Sequence, residues 1–153
     1  LGEFAGADSG FTRDFHTTLK FFGECDEKFL PEIENALGQL KFQTFEAQLG
    51  KFGMFGGATP RVFWISLEVP GWLLNAVSKM ENSMAQIGIP QENKFVPHIT
   101  LARAKSLKSS AEQMQNLKNI SVKPMKFLVS QFHLYKSELS SRGAIHTKLK
   151  SFS

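Results

Sequence analysis

Two short segments of this chain carry the same pattern, His-x-Thr-Leu, and this repeat constrains the fold more than any other feature. The copies lie in residues 15–23 and 95–103, where β-branched and aromatic side chains predict two short strands. Side chains alternate between the two faces of a strand, so the His and the Thr of each copy share a face and the Leu points the opposite way. The polar faces therefore present His16, Thr18, His98 and Thr100. If the two strands lie side by side or face each other, these side chains line one cleft.

Two histidines in one cleft are suited to acid/base chemistry. An imidazole has an ordinary pKa of about 6.5, so near neutral pH one ring can be neutral and the other protonated. The neutral ring accepts a proton from an attacking water or hydroxyl, and the protonated ring gives one to a leaving oxygen. Thr18 and Thr100 can donate hydrogen bonds to the non-bridging oxygens of an anionic centre. This suits phosphoryl transfer without a metal, and the sequence has no zinc-type ligand spacing and no phosphate-binding Gly-Lys loop.

The order of the remaining segments predicts an α+β domain with largely antiparallel sheets. Helical spacing of apolar residues predicts three helices, at 27–40 (with Asp26 as N-cap), 72–87 and 110–119. Strands are predicted at 11–22, 42–49, 60–69, 95–103, 120–122, 127–135 and 144–152, and the Gly-rich residues 50–57 are predicted to form a loop. Each half of the chain then begins with a His-x-Thr strand, continues through a helix and ends in two strands, which indicates a weak internal duplication.

Charge and cysteine content restrict the partners and the compartment. The formal net charge is +4, which favours an anionic ligand such as a nucleotide or RNA, although an excess of this size can also serve solubility alone. Cys25 is the single cysteine and cannot form an internal disulfide, which suits a reducing compartment. The sequence has no apolar run long enough to cross a membrane and no secretory leader, so a cytoplasmic protein with no membrane partner is expected.

The two His-x-Thr-Leu segments resemble the paired signatures of the two-histidine phosphoesterase superfamily. Within it, the chain is most similar to the LigT-like RNA 2',3'-cyclic phosphodiesterases, also called 2'-5' RNA ligases. The likeness continues in residues 60–65 and 134–143, and it covers roughly residues 13–152. It implies a bilobal α+β fold in which two related lobes, with helices on the outside, place antiparallel sheets on either side of a central cleft.

The resemblance also implies an activity and the residues that perform it. The expected reaction is hydrolysis of an RNA 2',3'-cyclic phosphate to a 2'-phosphate without metal or cofactor, with a weak reverse 2'-5' ligation of tRNA-like fragments. By motif match, His16 and His98 are the acid/base pair, Thr18 and Thr100 bind the phosphate, and Arg103 adds a further phosphate contact. Regular alternation along the strand places Arg103 on the face opposite His98, because five positions separate them. Arg103 can therefore reach the site only past the strand end or after a β-bulge.

The chain departs from the family pattern before the first motif. Relatives begin there with an apolar strand and a helix, which residues 1–12 do not supply. We therefore expect residues 1–12 to be an unstructured terminus or foreign to the domain, and residues 13–153 to form one bilobal domain. A monomer is predicted, with association through an exposed sheet edge as the alternative. The missing segment and the positive net charge also leave a second function open, that of a non-catalytic RNA- or nucleotide-binding module.

Overall fold

The computed structural model describes residues 9–11, 14–57, 59–92, 94–104, 111–140 and 143–153. Its strands are β1 Ser9–Phe11, β2 Phe45–Phe55, β3 Val62–Glu68, β4 His98–Ala104, β5 Lys126–Val129, β6 Phe132–Ser140 and β7 Gly143–Phe152. Its helices are α1 Leu30–Gly38, α2 Gly71–Gln86 and α3 Ala111–Lys118, and a 3-10 turn at Glu27–Phe29 precedes α1. None of the helices in these residues is long and apolar enough to span a bilayer.

Five strands form one sheet in the order β1-β4-β3-β2-β5. The pairs β1/β4, β4/β3 and β3/β2 are antiparallel. One face of this sheet is apolar, because Phe63 and Ala102 are opposite each other in the ladder and both are buried. Leu117 of α3 is buried in the same cluster, and Phe52 and Met54 pack against it. The core thus covers one face of the sheet, and the side chains of the alternate positions lie on the opposite face.

The second group of elements consists of α1, α2 and the two-stranded sheet β6-β7. Both helices bury an apolar stripe, and α1 contacts α2. The buried stripe residues are Ile33, Leu37, Leu73, Val77, Met80 and Met84. Phe42 contacts Phe45, Trp72 and Phe132 with ring centroids 5.4–5.9 Å apart, so an aromatic cluster joins helix α2 to strand β6.

The α+β class with antiparallel sheets is confirmed. The chain also divides into two compact units, the first made of residues 1–19, 47–69 and 94–127, the second of residues 20–46, 70–93 and 128–153. Each unit draws on separate parts of the chain, so the units are not the two sequential halves that the motif repeat suggested. Both His-x-Thr motifs belong to the first unit.

The predicted first strand, 11–22, is wrong in its extent. A strand occupies only Ser9–Phe11, and residues 14–22 have no regular structure. The backbone of Ser9–Phe11 pairs with residues 102–104 of β4 and completes an edge of the sheet. All three residues fall in the predicted unstructured terminus 1–12, although Phe11 was also predicted to begin the first strand. Residues 1–8 and 12 of that predicted terminus lie outside the described residues.

The glycine-rich segment 50–57 is not a loop, because β2 continues through it as far as Phe55. Two of its glycines lie close to side chains of β3: a Cβ on Gly50 would overlap the Ser66 hydroxyl, and a Cβ on Gly53 would overlap the Trp64 indole. The glycines therefore allow two strands to approach where larger side chains would collide.

Two further strand predictions need correction. Residues 120–122 form no strand, and Pro124, which follows them, has no N–H to extend a ladder. The predicted strand 127–135 is two strands, β5 and β6, separated by the polar residues Ser130 and Gln131. Asp26 caps the turn before α1 as predicted, since its carboxylate accepts a hydrogen bond of 3.0 Å from the Lys28 N–H.

Candidate active site

The second motif lies on β4, and its ladder with β3 fixes which side chains share a face. His98 is opposite Ser66, and Thr100 is opposite Trp64. Residues directly opposite each other in an antiparallel ladder point to the same face. His98 and Thr100 therefore lie on the face opposite the buried Phe63 core, as the alternation predicted.

A β-bulge brings Arg103 to the same face. Trp64 is opposite Thr100 but the preceding residue, Phe63, is opposite Ala102, so β4 contains one extra residue at Leu101. Arg103 is opposite Val62, and regular alternation along β3 places Val62 on the Trp64 face. The bulge that parity required is present, and the exposed Arg103 shares a face with His98 and Thr100.

The two motif histidines make the same local hydrogen bond. Nδ1 of His98 lies 2.6 Å from the Val96 carbonyl oxygen, and Nδ1 of His16 lies 2.9 Å from the Asp14 carbonyl oxygen. In both cases the partner is the backbone two residues earlier. A carbonyl oxygen can only accept, so Nδ1 must carry the hydrogen in both rings. In the neutral rings the lone pair therefore lies on Nε2, which is the atom able to accept a proton.

The first motif is attached directly to the second. The Thr17 hydroxyl donates a 2.8 Å hydrogen bond to the carbonyl oxygen of His98. Thr17 is half-buried, whereas its neighbours His16 and Thr18 are exposed. The alternation predicted for a strand is thus retained in a segment without ladder pairing. It directs His16 and Thr18 to solvent while Thr17 holds the backbone of β4.

An aromatic pair packs against His98. The His98 ring centroid lies 5.3 Å from that of Phe55, with the rings nearly perpendicular, and 6.0 Å from that of Trp64. Phe55 and Trp64 also contact each other, with centroids 4.8 Å apart. The sequence alone does not link Trp64 to His98, because the link depends on the register between strands.

The Trp64 ring is held by packing. Its Nε1 is buried and has no hydrogen-bond partner among the described residues. The six-membered ring lies over Gly53, whose missing side chain provides the space. Gly53, Phe55 and Trp64 thus restrict the imidazole of His98.

The arrangement provides the groups that a phosphate ester reaction needs. Among the described residues, no three His, Cys, Asp or Glu side chains cluster in a way that could hold a metal ion. One face of β4 carries the His98 imidazole, the Thr100 hydroxyl and the Arg103 guanidinium, and the segment that Thr17 attaches to β4 exposes His16 and Thr18. Imidazoles transfer protons, and hydroxyl and guanidinium groups bind anionic oxygens.

Comparison with known proteins gives consistent results at the levels of family, relative and structure. Residues 12–140 match the model of the 2'-5' RNA ligase superfamily. A curated relative from Thermotoga maritima, named RNA 2',3'-cyclic phosphodiesterase, is 33% identical over 139 residues, which cover 89% of this chain and 73% of the relative. A relative of the same name from Methanothermobacter thermautotrophicus is 31% identical, with 91% of this chain and 78% of the relative covered.

Solved structures agree with these sequence matches. A Thermus thermophilus protein superposes with a TM-score of 0.72 at 29% identity, covering 90% of this chain and 76% of that protein. E. coli LigT, solved in complex with 3'-AMP, superposes with a TM-score of 0.69 at 25% identity, covering 90% of this chain and 75% of LigT.

Proposed function

This chain belongs to the 2'-5' RNA ligase superfamily, and on that premise we propose that it hydrolyses RNA 2',3'-cyclic phosphate ends to 2'-phosphates. The observation that carries the proposal is the matched pair of histidines. Both rings donate from Nδ1 to the carbonyl two residues earlier, and Thr17 joins the two motifs. The names of the relatives support the choice of a cyclic phosphate as substrate.

In the proposed reaction, His16 and His98 act in opposite protonation states. Nε2 of the neutral ring accepts a proton from a water molecule as the water oxygen attacks phosphorus. The bond from phosphorus to O3' breaks, and Nε2 of the protonated ring gives its proton to O3'. The products are a 2'-phosphate and a 3'-hydroxyl. Thr18, Thr100 and Arg103 hold the non-bridging oxygens, whose negative charge increases as the water attacks.

The same site has the groups for 2'-5' ligation. If the 5'-hydroxyl of a second RNA takes the place of water, the same proton transfers produce a 2'-5' phosphodiester and release O3'. No nucleotide cofactor enters this reaction, because the strained cyclic phosphate is itself the activated group. We propose that hydrolysis dominates whenever water reaches the site, and that tRNA fragments are among the RNA ends that can react.

The experiment that tests the function is incubation with a 2',3'-cyclic mononucleotide in excess EDTA, followed by phosphorus NMR. We expect a 2'-monophosphate as the product. His16→Ala and His98→Ala should each lower kcat by at least about 100-fold, since general acid/base catalysis contributes about 10²–10⁴-fold. Lys79→Ala, an exposed residue of α2, is the control and should retain turnover.

Other outcomes of this experiment separate the alternatives. A 3'-monophosphate would contradict the proposed bond cleavage, and turnover that stops in EDTA would contradict the metal-free reaction. If either histidine variant retains full activity, the two-histidine mechanism is wrong. Binding without turnover in the wild type would favour the non-catalytic module.

A second measurement is the pH profile of the reaction. Because the two histidines must be in opposite protonation states, a plot of kcat/KM against pH should be bell-shaped.

A further inference from the structure

The hydrogen bonds at Nδ1 fix each imidazole of the candidate active site to its own segment. The partner of His16 is the carbonyl oxygen of Asp14, and the partner of His98 is that of Val96. Bonds within one segment set the tautomer and the direction of a ring, but they do not set where one ring lies relative to the other. A reaction that uses both rings needs a contact that joins the two segments.

The first motif is joined to the second by a side chain and not by a ladder. Residues 14–22, all of which the structure describes, have no regular structure, so the segment that carries His16 and Thr18 depends on side-chain contacts for its position. The 2.8 Å hydrogen bond from the Thr17 hydroxyl to the His98 carbonyl oxygen is such a contact. It connects the residue next to one imidazole with the residue that carries the other.

The direction of the His98 carbonyl explains why a side chain can reach it. The carbonyl of the preceding residue, Pro97, points to β3, where it accepts a 2.9 Å hydrogen bond from the Leu67 N–H. Successive carbonyls of a strand point to opposite edges, so the His98 carbonyl points away from β3. β1 lies along that edge of β4, but its ladder pairs with residues 102–104. At His98 the half-buried Thr17 hydroxyl therefore takes the place of a ladder donor.

We propose that Thr17 is a positioning residue, whose hydroxyl sets the place of His16 and Thr18 relative to His98. The proposal rests on the proposed function, because it assigns to Thr17 the geometry that the two-histidine reaction needs. Thr17 itself transfers no proton in that reaction. A misplacement of about 1 Å in a reacting group can cost about 100-fold in rate, so loss of this one hydrogen bond should be visible in turnover.

Thr17→Val tests this role, since Val has the shape of Thr without the hydroxyl. With a 2',3'-cyclic mononucleotide we expect kcat to fall about tenfold, and KM to change less, because Thr100 and Arg103 remain in place on β4. Thr17→Ser keeps the donor and should restore kcat. In the His16→Ala background, Thr17→Val should lower kcat by less than about twofold, since the ring that it positions is gone. Thr44→Val, at an exposed position before β2, is the matched control.

A second measurement is independent of turnover. NMR spectra that correlate the imidazole protons with the ring nitrogens report the tautomer and the surroundings of each histidine. In Thr17→Val we expect the His16 signals to shift or broaden, because the segment loses its attachment to β4. The signals of His133 and His146 should be unchanged, and Thr17→Ser should give the wild-type His16 signals.

The two measurements separate this proposal from the proposed function. Unchanged His16 signals in Thr17→Val would overturn the positioning role, whether or not the wild type hydrolyses a cyclic phosphate. An unchanged kcat in Thr17→Val would also overturn it, as would a full further loss of kcat in the His16→Ala background, since Thr17 would then act independently of His16. An inactive wild type whose His16 signals change as expected in Thr17→Val would contradict the proposed function alone.

Discussion

Gly53 sets the position of the Trp64 ring and, through it, the surroundings of His98. Gly53 is opposite Trp64 in the β2/β3 ladder, and the indole lies across the glycine where a side chain would otherwise stand. The same indole packs against the His98 imidazole and against Phe55. A change at Gly53 must therefore displace an aromatic ring that restricts the imidazole, although Gly53 itself offers no chemistry.

Gly53→Ala tests this dependence. The added methyl overlaps the Trp64 ring, which we expect to lower the free energy of unfolding by about 1–3 kcal/mol, as for overpacked cores. Displacement of the ring should also lower kcat/KM for a cyclic nucleotide by about tenfold. Urea unfolding and steady-state kinetics measure the two effects. Gly38→Ala on α1 is the matched control, because its Cβ meets no atom, and it should be neutral or stabilising.

Sequence alone predicts the reacting residues of the candidate site but not the residues that pack against them. His16, Thr18, His98 and Thr100 follow from a local pattern, which needs no knowledge of neighbouring strands. Gly53, Phe55 and Trp64 contact the site only through the register between β2, β3 and β4, and a single sequence contains little information on register. The Gly-rich segment 50–57 was predicted to be a loop for the same reason, because its pairing with β3 is not visible in the sequence.

At the level of elements, a single extra residue in β4 decides whether Arg103 lies on the same face as His98. Without the bulge at Leu101, strict alternation would place Arg103 on the buried face with Phe63. Parity showed from the sequence that a bulge was needed, but the position of a bulge depends on hydrogen bonds between strands. The strand predicted for the first motif is wrong for a related reason: residues 16–19 alternate between exposed and half-buried side chains, as in a strand, but have no ladder partner.

A buried ion pair joins helix α2 to an irregular segment of the second unit. Lys20 Nζ donates 2.7 and 2.9 Å hydrogen bonds to a Glu81 carboxylate oxygen on α2 and to the Pro90 carbonyl oxygen. The Lys20 side chain is 1% exposed, and the Glu81 side chain is 11% exposed. The same Glu81 oxygen also accepts from the Glu92 N–H at 3.1 Å. Lys20 thus connects the chain after the first motif with both α2 and the segment that follows it.

Removal of one partner should be more harmful than removal of both. We expect Lys20→Met to lower the free energy of unfolding by about 3–5 kcal/mol, because a buried carboxylate loses its countercharge. Adding Glu81→Gln to that variant should restore a substantial part of the lost free energy of unfolding, since the amide oxygen of Gln can still accept a hydrogen bond from the Glu92 N–H. Urea unfolding of the wild type, both single variants and the double variant gives a double-mutant cycle. Additive losses in the double variant would show that the two side chains do not interact.

At the scale of the whole molecule, the two units are assembled from alternating parts of the chain. Hydrophobic periodicity predicted most elements within a few residues, including α2 and β3. It could not predict how they group, because the His-x-Thr repeat suggested sequential halves while the strands of the large sheet come from distant segments. Long-range pairing depends on contacts that local patterns do not specify.

The stability of the whole molecule should fall in two steps as the pH is lowered. Burial holds the pKa of His133 below 6.5, so the unfolded chain binds a proton at this imidazole more readily than the folded chain does. Stability therefore decreases as the pH falls below 6.5.

The second step comes from two carboxylates. The Lys136 ammonium lowers the pKa of Glu27 from 4.5, and the Lys28 backbone N–H lowers that of Asp26 from 3.8. The stability contributed by these carboxylates is present above their ordinary pKa values and is lost as the pH falls through their folded values. Urea midpoints measured from pH 8 to pH 3 record both steps. His133→Gln should reduce the first step and Glu27→Gln the second, whereas an unchanged first step in His133→Gln would assign it to another group.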